Sequence, residues 1–183
     1  HGIDAHGFDL IENVKYWRQF GRPPKRYAVT APVDPILPYE DDTFDMVFSF
    51  GVIEHVGTSD GDTTRLADYD DIRRRWVQEL MRVVRPGGRL LLAGPNKHFP
   101  VDVAHAPDSA ASGVEKWLSR KLKLTVHKPF GENFLWGYDD VSRYVGQPMS
   151  AIEGLSIENL IYFGRVPKPL RRVAEAYVKN LPP

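Results

Sequence analysis

Two apolar runs that flank an amphipathic helical pattern constrain the fold of this chain more than any other feature. The first run, MVFSFGV, covers residues 46–52, and the second, RLLLAGP, covers residues 89–95. We predict that the first is apolar on both faces, as a covered parallel strand is. Because a helical pattern lies between the two runs, the chain predicts parallel strands joined by a helical crossover, which indicates an α/β fold with helices on both faces of the sheet.

The intervening helix is predicted over residues 70–84. Its apolar stripe is formed by Ile72, Trp76, Leu80 and Val83 or Val84, with aspartates at its start and arginines at its end, as the helix dipole favours. The tripeptide PGG at residues 86–88 predicts a turn between this helix and the next strand. The run from Arg73 to Arg75 beside two aspartates predicts a solvated, charge-paired face.

Further elements are predicted on both sides of this unit. GID, residues 2–4, is interpreted as the end of a strand, and a helical pattern follows over residues 8–20. Two further strands are predicted, at RYAVTAP and at LSIENLIYF. Three further helices are predicted: one that opens with a capping box, SGVE, at residues 112–115, a short one at DDVSRYVG, and a final one at residues 170–181.

Composition limits the class of protein and of partner. A chain of 183 residues, 42% of them hydrophobic, predicts one domain with one core. Lys plus Arg and Asp plus Glu both number 24, and no basic stripe indicates nucleic acid as the main partner. Cysteine is absent, which excludes disulfides and thiolate metal ligands, and no apolar run reaches the ~20 residues of a membrane span. A cytoplasmic protein is expected.

Ligands of open parallel sheets bind outside the carboxyl ends of the strands. The predicted strands place six polar residues at that edge: Asp4, Asp34, Glu54, His55, Asn96 and His98. An acidic residue after a short strand, as in GID, can accept hydrogen bonds from both hydroxyls of a ribose. A plain helix-capping aspartate is the alternative interpretation of Asp4.

Three segments follow one another in this chain: GID with its following helix, LPYEDDTFDMVFSFGVIEHV, and QELMRVVRPGGRLLLAGPN. Their order and spacing resemble those of the class I S-adenosylmethionine-dependent methyltransferases, in particular the small-molecule branch with the type 11 methyltransferase domain. The resemblance covers roughly residues 2–100. It implies a Rossmann-like sheet with S-adenosyl-L-methionine as the cofactor. The cofactor-binding positions that it implies are Asp4, Ala5, Asp34, Phe50, Gly51 and Val52.

The same resemblance places His55, in the EH pair, at the start of the next helix and below the methyl-transfer site. His98 and His105 leave the next strand, and a histidine there can remove a proton from an oxygen or nitrogen acceptor. We therefore name His55, His98 and His105 as candidate catalytic residues. The alternatives are a hydrogen-bonding role for His55, a metal site formed by His98, Asp102 and His105, and catalysis by positioning without any base. No metal is expected.

Residues 97–150 contain a stretch, TVHKPFGENFLWGYDD, that is dense in aromatic residues. We interpret residues 97–150 as a possible substrate-covering insertion. The alternative is a small satellite core around Phe130, Phe134 and Trp136.

Members of the family carry a first strand and a glycine-rich loop before the GID strand, and nothing in this chain matches them. We therefore expect a partial domain, an internal fragment of a longer methyltransferase, whose sheet closes by an unusual pairing or stays split. The expected reaction is methyl transfer to a small-molecule, lipid or glycan-precursor acceptor. A degenerate binding or scaffold protein and a nicotinamide-dependent oxidoreductase are the alternatives, and the sequence does not indicate an oligomeric state.

Overall fold

A computed structural model describes residues 2–9, 14–19, 26–31, 33–59, 65–97, 101–102, 112–122, 125–126, 136–155 and 168–179. The chain forms two compact units, His1–Ala93 and Gly94–Pro183. The elements of the first unit are β1 (Gly7–Asp9), α1 (Val14–Gln19), β2 (Tyr27–Val29), β3 (Phe44–Phe50), α2 (Tyr69–Arg82) and β4 (Val84–Ala93). Those of the second are β5 (Val101–Asp102), α3 (Gly113–Leu122), β6 (Thr125–Val126), α4 (Tyr138–Val145), a 3₁₀ turn (Met149–Ala151) and α5 (Lys168–Lys179).

The strands pair two by two. β1 pairs in parallel with β2, β3 pairs in parallel with β4, and β5 pairs antiparallel with β6. The predicted strand–helix–strand unit is therefore confirmed, with α2 as the crossover between β3 and β4. Across the described residues the strands form three separate two-stranded sheets.

Helix α2 supplies much of the core of the first unit. Ile72, Trp76, Val77 and Leu80 are buried along one stripe, and Val83 is buried just beyond the last turn. The indole of Trp76 also packs edge to face against Phe8 of β1, with ring centroids 5.4 Å apart. Buried aromatic pairs of this kind stabilise a core beyond their buried area. The predicted apolar stripe is thus confirmed, and α2 packs against β4 and, through Trp76 and Phe8, also contacts β1.

The prediction that the strand at residues 46–52 is covered on both faces is wrong. Strand β3 lies at Phe44–Phe50 and alternates, with Val47 and Ser49 buried but Phe48 63% exposed. Met46 and Phe50 share the exposed face with Phe48. A run of apolar residues shows that a strand could be covered twice, but which face gains a neighbour depends on elements distant in sequence.

The turn predicted at PGG is also placed differently. Helix α2 ends at Arg82, and β4 already starts at Val84, so residues 86–88 form an irregularity inside the strand. The backbone of Gly87 is left-handed, with φ 78°. A Cβ on Gly88 would lie 2.9 Å from the carbonyl oxygen of Asp45 on β3, so this close approach requires glycine.

The N-terminal strand lies later than predicted. Residues 2–6 have no regular structure, and the strand is formed by Gly7–Asp9, so the prediction of a strand ending at GID is wrong. The helical pattern predicted from residue 8 begins at Val14 instead. The physical reason is tertiary: Phe8 gains Trp76 as a packing partner, and Trp17 of α1 stacks on Tyr27 of β2 at 4.6 Å.

The helices predicted for the second unit are confirmed. The capping box before α3 is present, since the backbone N–H of Ser112 donates to Glu115 Oε2 at 2.6 Å and the N–H of Glu115 donates to Ser112 Oγ. Helix α4 ends at Gly146, which is left-handed with φ 67°, and α5 begins two residues before the predicted start. Most of the predicted strand LSIENLIYF lies outside the described residues. Within the part of the chain that the structure describes, no helix is both long and apolar enough to cross a membrane.

Candidate functional site

The loop that leaves β3 begins with a glycine in a backbone conformation that other residues rarely adopt. Gly51 has φ 65°, and its N–H donates to the carbonyl oxygen of Ala93 at 2.8 Å. This hydrogen bond joins the carboxyl end of β3 to that of β4. Because the carboxyl ends of parallel strands are where open sheets bind ligands, residues 51–58 are the candidate site of the first unit.

Consecutive turns shape this loop. The N–H of His55 donates to Val52 O at 2.9 Å, and the hydroxyl of Thr58 donates to His55 O at 2.6 Å. The prediction that the EH pair opens a helix is therefore wrong, since the next helix begins at Tyr69. Hydrogen bonds that satisfy the backbone locally allow the loop to keep a defined shape without helical structure.

A buried arginine on α2 holds the same loop. Arg73 is 2% exposed, and its guanidinium donates to Val56 O at 3.0 Å and to Glu54 O at 2.8 Å. The prediction that this arginine belongs to a solvated face is wrong. The signal that could have identified it is its position, because Arg73 lies four residues before Val77 and so falls on the buried stripe of the helix.

The two polar side chains of the EH pair differ in exposure. Glu54, which was predicted at the carboxyl edge of the sheet, is fully buried at 0% exposure, including both carboxylate oxygens. His55 is half-buried, and its Nδ1 atom is buried. Its other ring nitrogen is the atom through which His55 could exchange a proton with an acceptor.

Gly57 fixes how closely the loop approaches α2. Its φ is 80°, and a Cβ added there would lie 2.8 Å from the Cα atom of Tyr69. On the other side, the guanidinium of Arg65 lies over the Tyr69 ring at 4.5 Å, and Thr58 forms a β-bridge with Arg65. The start of α2 is therefore packed directly against the loop.

A second anchored segment, residues 37–41, precedes β3. Glu79 and Arg82 of α2 form an ion pair of 2.6 Å, and together they bind this segment. Glu79 accepts from the N–H of Leu37 at 2.7 Å, while Arg82 donates to Leu37 O and Tyr39 O. The hydrogen bond from Arg82 is the largest cause that lowers the pKa of Glu79.

The family model described as "Methyltransferase domain", type 11, matches residues 1–92, which is half of the chain. This match includes both anchored segments, which are residues 37–41 and the loop at residues 51–58. The chain belongs to the methyltransferase-domain family. No curated protein sequence matches it.

One solved structure similar to this methyltransferase-domain chain is a complex between the Haloferax volcanii Trm112 methyltransferase activator and a candidate methyltransferase. The identity is 18% and the TM-score is 0.38, with 76% of this chain and 48% of the other chain covered. The methyltransferase-domain chain thus spans about half the length of that solved chain.

The residues predicted to bind the cofactor fall into separate places in the methyltransferase-domain chain. Phe50, Gly51 and Val52 are consecutive at the carboxyl end of β3, next to His55. Asp4 is exposed and forms an ion pair of 2.6 Å with Arg26, and Ala5 beside it is exposed too.

Asp34 and the two remaining histidines lie away from that loop or beyond the description. Asp34 is exposed in a turn where its carbonyl accepts from the N–H of Ile36 at 2.9 Å. His98 and His105 lie outside the described residues, as does the side chain of Asp102. Among the residues that the structure describes, no group of three or more His, Cys, Asp or Glu could hold a metal ion.

Asp4 was expected at the end of a strand, but a different acidic residue, which the sequence analysis did not name, lies at such a position. Asp9 is the last residue of β1, and its carbonyl accepts from the N–H of Thr30 at 3.0 Å, just beyond β2. The methyltransferase-domain chain therefore has two candidate acids, Asp4 before β1 and Asp9 at its carboxyl end. The second GxD tripeptide, GFD after GID, is the sequence signal that could have identified it.

In the second unit, polar contacts join the segment after β4 to α4. The ammonium of Lys97 binds Asp139 at 2.6 Å and Asp140 at 3.0 Å, and Asn96 forms a β-bridge with Trp136. Burial opposes the charge of Lys97, but the two carboxylates outweigh it and raise the pKa of that lysine. Trp136 is buried at 8% exposure, whereas Phe130 and Phe134 of the proposed satellite core lie outside the described residues.

Proposed function

We propose that this chain takes part in the transfer of a methyl group from S-adenosyl-L-methionine to a small-molecule, lipid or glycan-precursor acceptor, as the type 11 small-molecule branch of the family does. The match to the methyltransferase domain over residues 1–92 is the observation that carries the proposal. The loop anchored at the ends of β3 and β4 supports it, because that is the edge where an open parallel sheet binds its ligand.

The chemistry of the residues present fits this cofactor. Exposed carboxylate oxygens of Asp4, and Asp9 at the end of β1, are acceptors of the kind that bind ribose hydroxyls. Phe50 is 51% exposed at the end of β3 and offers aromatic surface beside the left-handed Gly51. S-adenosylmethionine, when bound, supplies an electrophilic methyl group on a sulfonium.

The remaining work of the site is to position the acceptor and to receive its proton. In this proposal His55 takes the proton from an acceptor oxygen or nitrogen, and the turn at residues 52–58 positions its backbone. Arg73 holds that turn from below through the carbonyls of Glu54 and Val56. His98 and His105 stay candidate bases, and a strongly activated methyl donor can also react with a well-positioned acceptor without any base. We also propose that the chain is cytoplasmic, that it acts as one partial domain, and that residues 97–150 cover the substrate.

Calorimetric titration of S-adenosylhomocysteine into the chain tests the proposal. Binding that S-adenosylmethionine competes away, and that NAD does not, would support it. Binding of NAD alone would favour the nicotinamide-dependent oxidoreductase. Binding of neither ligand, both to this chain and to a form of it extended N-terminally, would favour a degenerate scaffold. The variants Asp4→Asn and Asp9→Asn show which acid binds the ribose, since the loss of a charge-assisted hydrogen bond weakens affinity by roughly tenfold or more.

A further inference from the structure

Two helices of the second unit expose apolar side chains. In α3, Val114, Trp117 and Leu122 are 67%, 57% and 52% exposed, and in α5, Leu170 and Val173 are 51% and 66% exposed. Large apolar residues that are exposed singly are common, but exposed pairs one helical turn apart, as Val114 with Trp117 and Leu170 with Val173, favour an interaction surface.

Helix α5 exposes two large apolar side chains among those that the structure describes. Among the side chains described in this helix, Ala174 is the one that is buried, whereas Leu170 and Val173, one turn apart, are exposed. An isolated helix of this length is marginally stable in water, and most helices gain their stability by covering an apolar face. A surface that covers Leu170 and Val173 would therefore stabilise α5.

The polar face of α5 is basic. Lys168, Arg171 and Arg172 occupy its first half, with Glu175 as the acidic residue that follows. The helix dipole disfavours cations near the N-terminus, and the first turn of α5 contains no acidic residue. Lys168 and Arg172 are exposed, so their positive charge is available to an anionic surface.

Helix α3 combines apolar and basic residues in the same way. Lys116, Arg120 and Lys121 outnumber Glu115 in it. The spacing of Val114, Trp117 and Lys121 places an exposed tryptophan between a valine and a lysine on one face. Lysine is depleted from the centres of protein interfaces, whereas a lysine stem and a tryptophan ring beside it are favoured at the boundary between lipid and water.

The positive and negative residues are unevenly distributed between the two units. Residues 94–183 contain 12 Lys and Arg against 9 Asp and Glu, whereas residues 1–93 contain 12 against 15. The formally neutral chain thus carries its positive excess in the unit that exposes the two amphipathic helices. This modest positive excess, 12 against 9, is compatible with contact with an anionic surface.

We propose that α3 and α5 bind the surface of an anionic membrane, lying in the interface with Trp117, Leu170 and Val173 among the acyl chains and the lysines and arginines against the lipid phosphates. The lipid surface is the occupant, in preference to an acidic protein, because Trp117 and Lys121 share one exposed face. This proposal does not rest on the proposed methyl transfer, and it requires no spanning segment.

Vesicle co-sedimentation of the full chain provides the test. The chain should bind vesicles of phosphatidylcholine mixed with phosphatidylglycerol, bind pure phosphatidylcholine much more weakly, and be released as salt is raised. Tryptophan emission should shift to shorter wavelength on the mixed vesicles, and Trp117→Phe should abolish most of that shift. Equal binding to both kinds of vesicle, or binding to neither, would overturn the proposal.

Variants separate the two contributions and control for net charge. The double variant Lys168→Gln/Arg172→Gln should weaken binding to the mixed vesicles roughly 30-fold. Leu170→Ser/Val173→Ser should weaken it by about tenfold or more, because its apolar contact is lost. Arg74→Gln/Arg75→Gln removes the same charge from α2 in the other unit and should leave binding within about twofold of the original chain.

Two outcomes of these variants would contradict the proposal. If the α2 variant weakens binding as much as the α5 charge variant does, the attraction belongs to the whole molecule and not to these helices. If the Leu170→Ser/Val173→Ser variant binds unchanged while the chain also binds poly-glutamate peptide as tightly as vesicles, the face is a site for an acidic protein. Far-UV circular dichroism of each variant shows that α5 is still formed.

Discussion

Arg73 shows at the scale of one residue how a charge becomes structural. Its guanidinium donates to two loop carbonyls and also lies over the ring of Tyr69 at 5.2 Å. A buried cation is costly unless it is well hydrogen-bonded, and its removal leaves the carbonyls of Glu54 and Val56 without this donor. The candidate site at residues 51–58 therefore depends on a residue that belongs to a different element.

Arg73→Met should destabilise the protein by about 2–4 kcal/mol, because two charge-assisted hydrogen bonds in a buried place are lost. Urea denaturation measures the change in the free energy of unfolding. Arg74→Met is the matched control, since Arg74 is exposed and pairs with Asp71 at 3.0 Å on the surface, where the expected cost is below about 1 kcal/mol. Equal costs for the two variants would show that Arg73 has no special role.

At the scale of the element, α2 organises the first unit from both of its faces. Its apolar stripe fills the core, and Arg73 near its start holds the loop after β3. Glu79 and Arg82 near its end bind residues 37–41, where Arg82 also forms an ion pair of 2.7 Å with Asp41. The hydrogen bond and charge of Arg82 lower the pKa of Glu79 below its ordinary value of 4.5, against a smaller opposing effect of burial.

This lowered pKa predicts a stability that depends on pH. A carboxylate whose pKa is lower in the folded than in the unfolded chain stabilises the fold above the unfolded value, and that contribution is lost as the pH falls through the folded value. Glu79→Gln should therefore cost about 1–2 kcal/mol at pH 7 and less in acid, below about pH 4. Denaturation curves at a series of pH values measure this difference.

Glu40→Gln is the control for that experiment, because Glu40 is exposed beside the same segment. It should change stability little at any pH. A cost of Glu79→Gln that stays constant between neutral and acid pH would contradict the proposed role of the Glu79–Arg82 pair.

At the scale of the whole molecule, contacts concentrate within two units, His1–Ala93 and Gly94–Pro183. The residues matched by the methyltransferase domain coincide with the first unit, and the two exposed amphipathic helices belong to the second. Units with their own contacts can unfold in separate steps, so a single free energy of unfolding need not describe the chain.

Differential scanning calorimetry should show two transitions, and substitutions should shift them separately. Arg73→Met should lower one transition by roughly 10 °C and leave the other in place. Lys97→Met, which removes the partner of Asp139 and Asp140 in the second unit, should lower the other one. A single transition that both variants shift together would show that the units unfold as one.

Several features of the fold follow from the sequence alone because they depend on residues close together in the chain. Four features are of this kind: the apolar period of α2, the capping box of Ser112 and Glu115, the strand at Tyr27–Val29, and helix α5, whose bounds were predicted to within two residues. The order of motifs that indicates the methyltransferase domain belongs here too, since it needs only residue types and spacing. Local hydrogen bonds and periodicity determine such features.

Other features were decided only by the tertiary structure. Each of these features depends on whether a residue distant in sequence packs against it. They are the burial of Arg73 and Glu54, the exposed face of Phe48, the bulge at PGG and the start of β1 at Gly7. Burial is a property of the packed chain, and identical residue patterns are compatible with a covered or an open face. Sequence periodicity therefore determined α2 and the strands β2, β3 and β4, while packing decided where β1 and α1 begin and which polar groups lie beneath the candidate site.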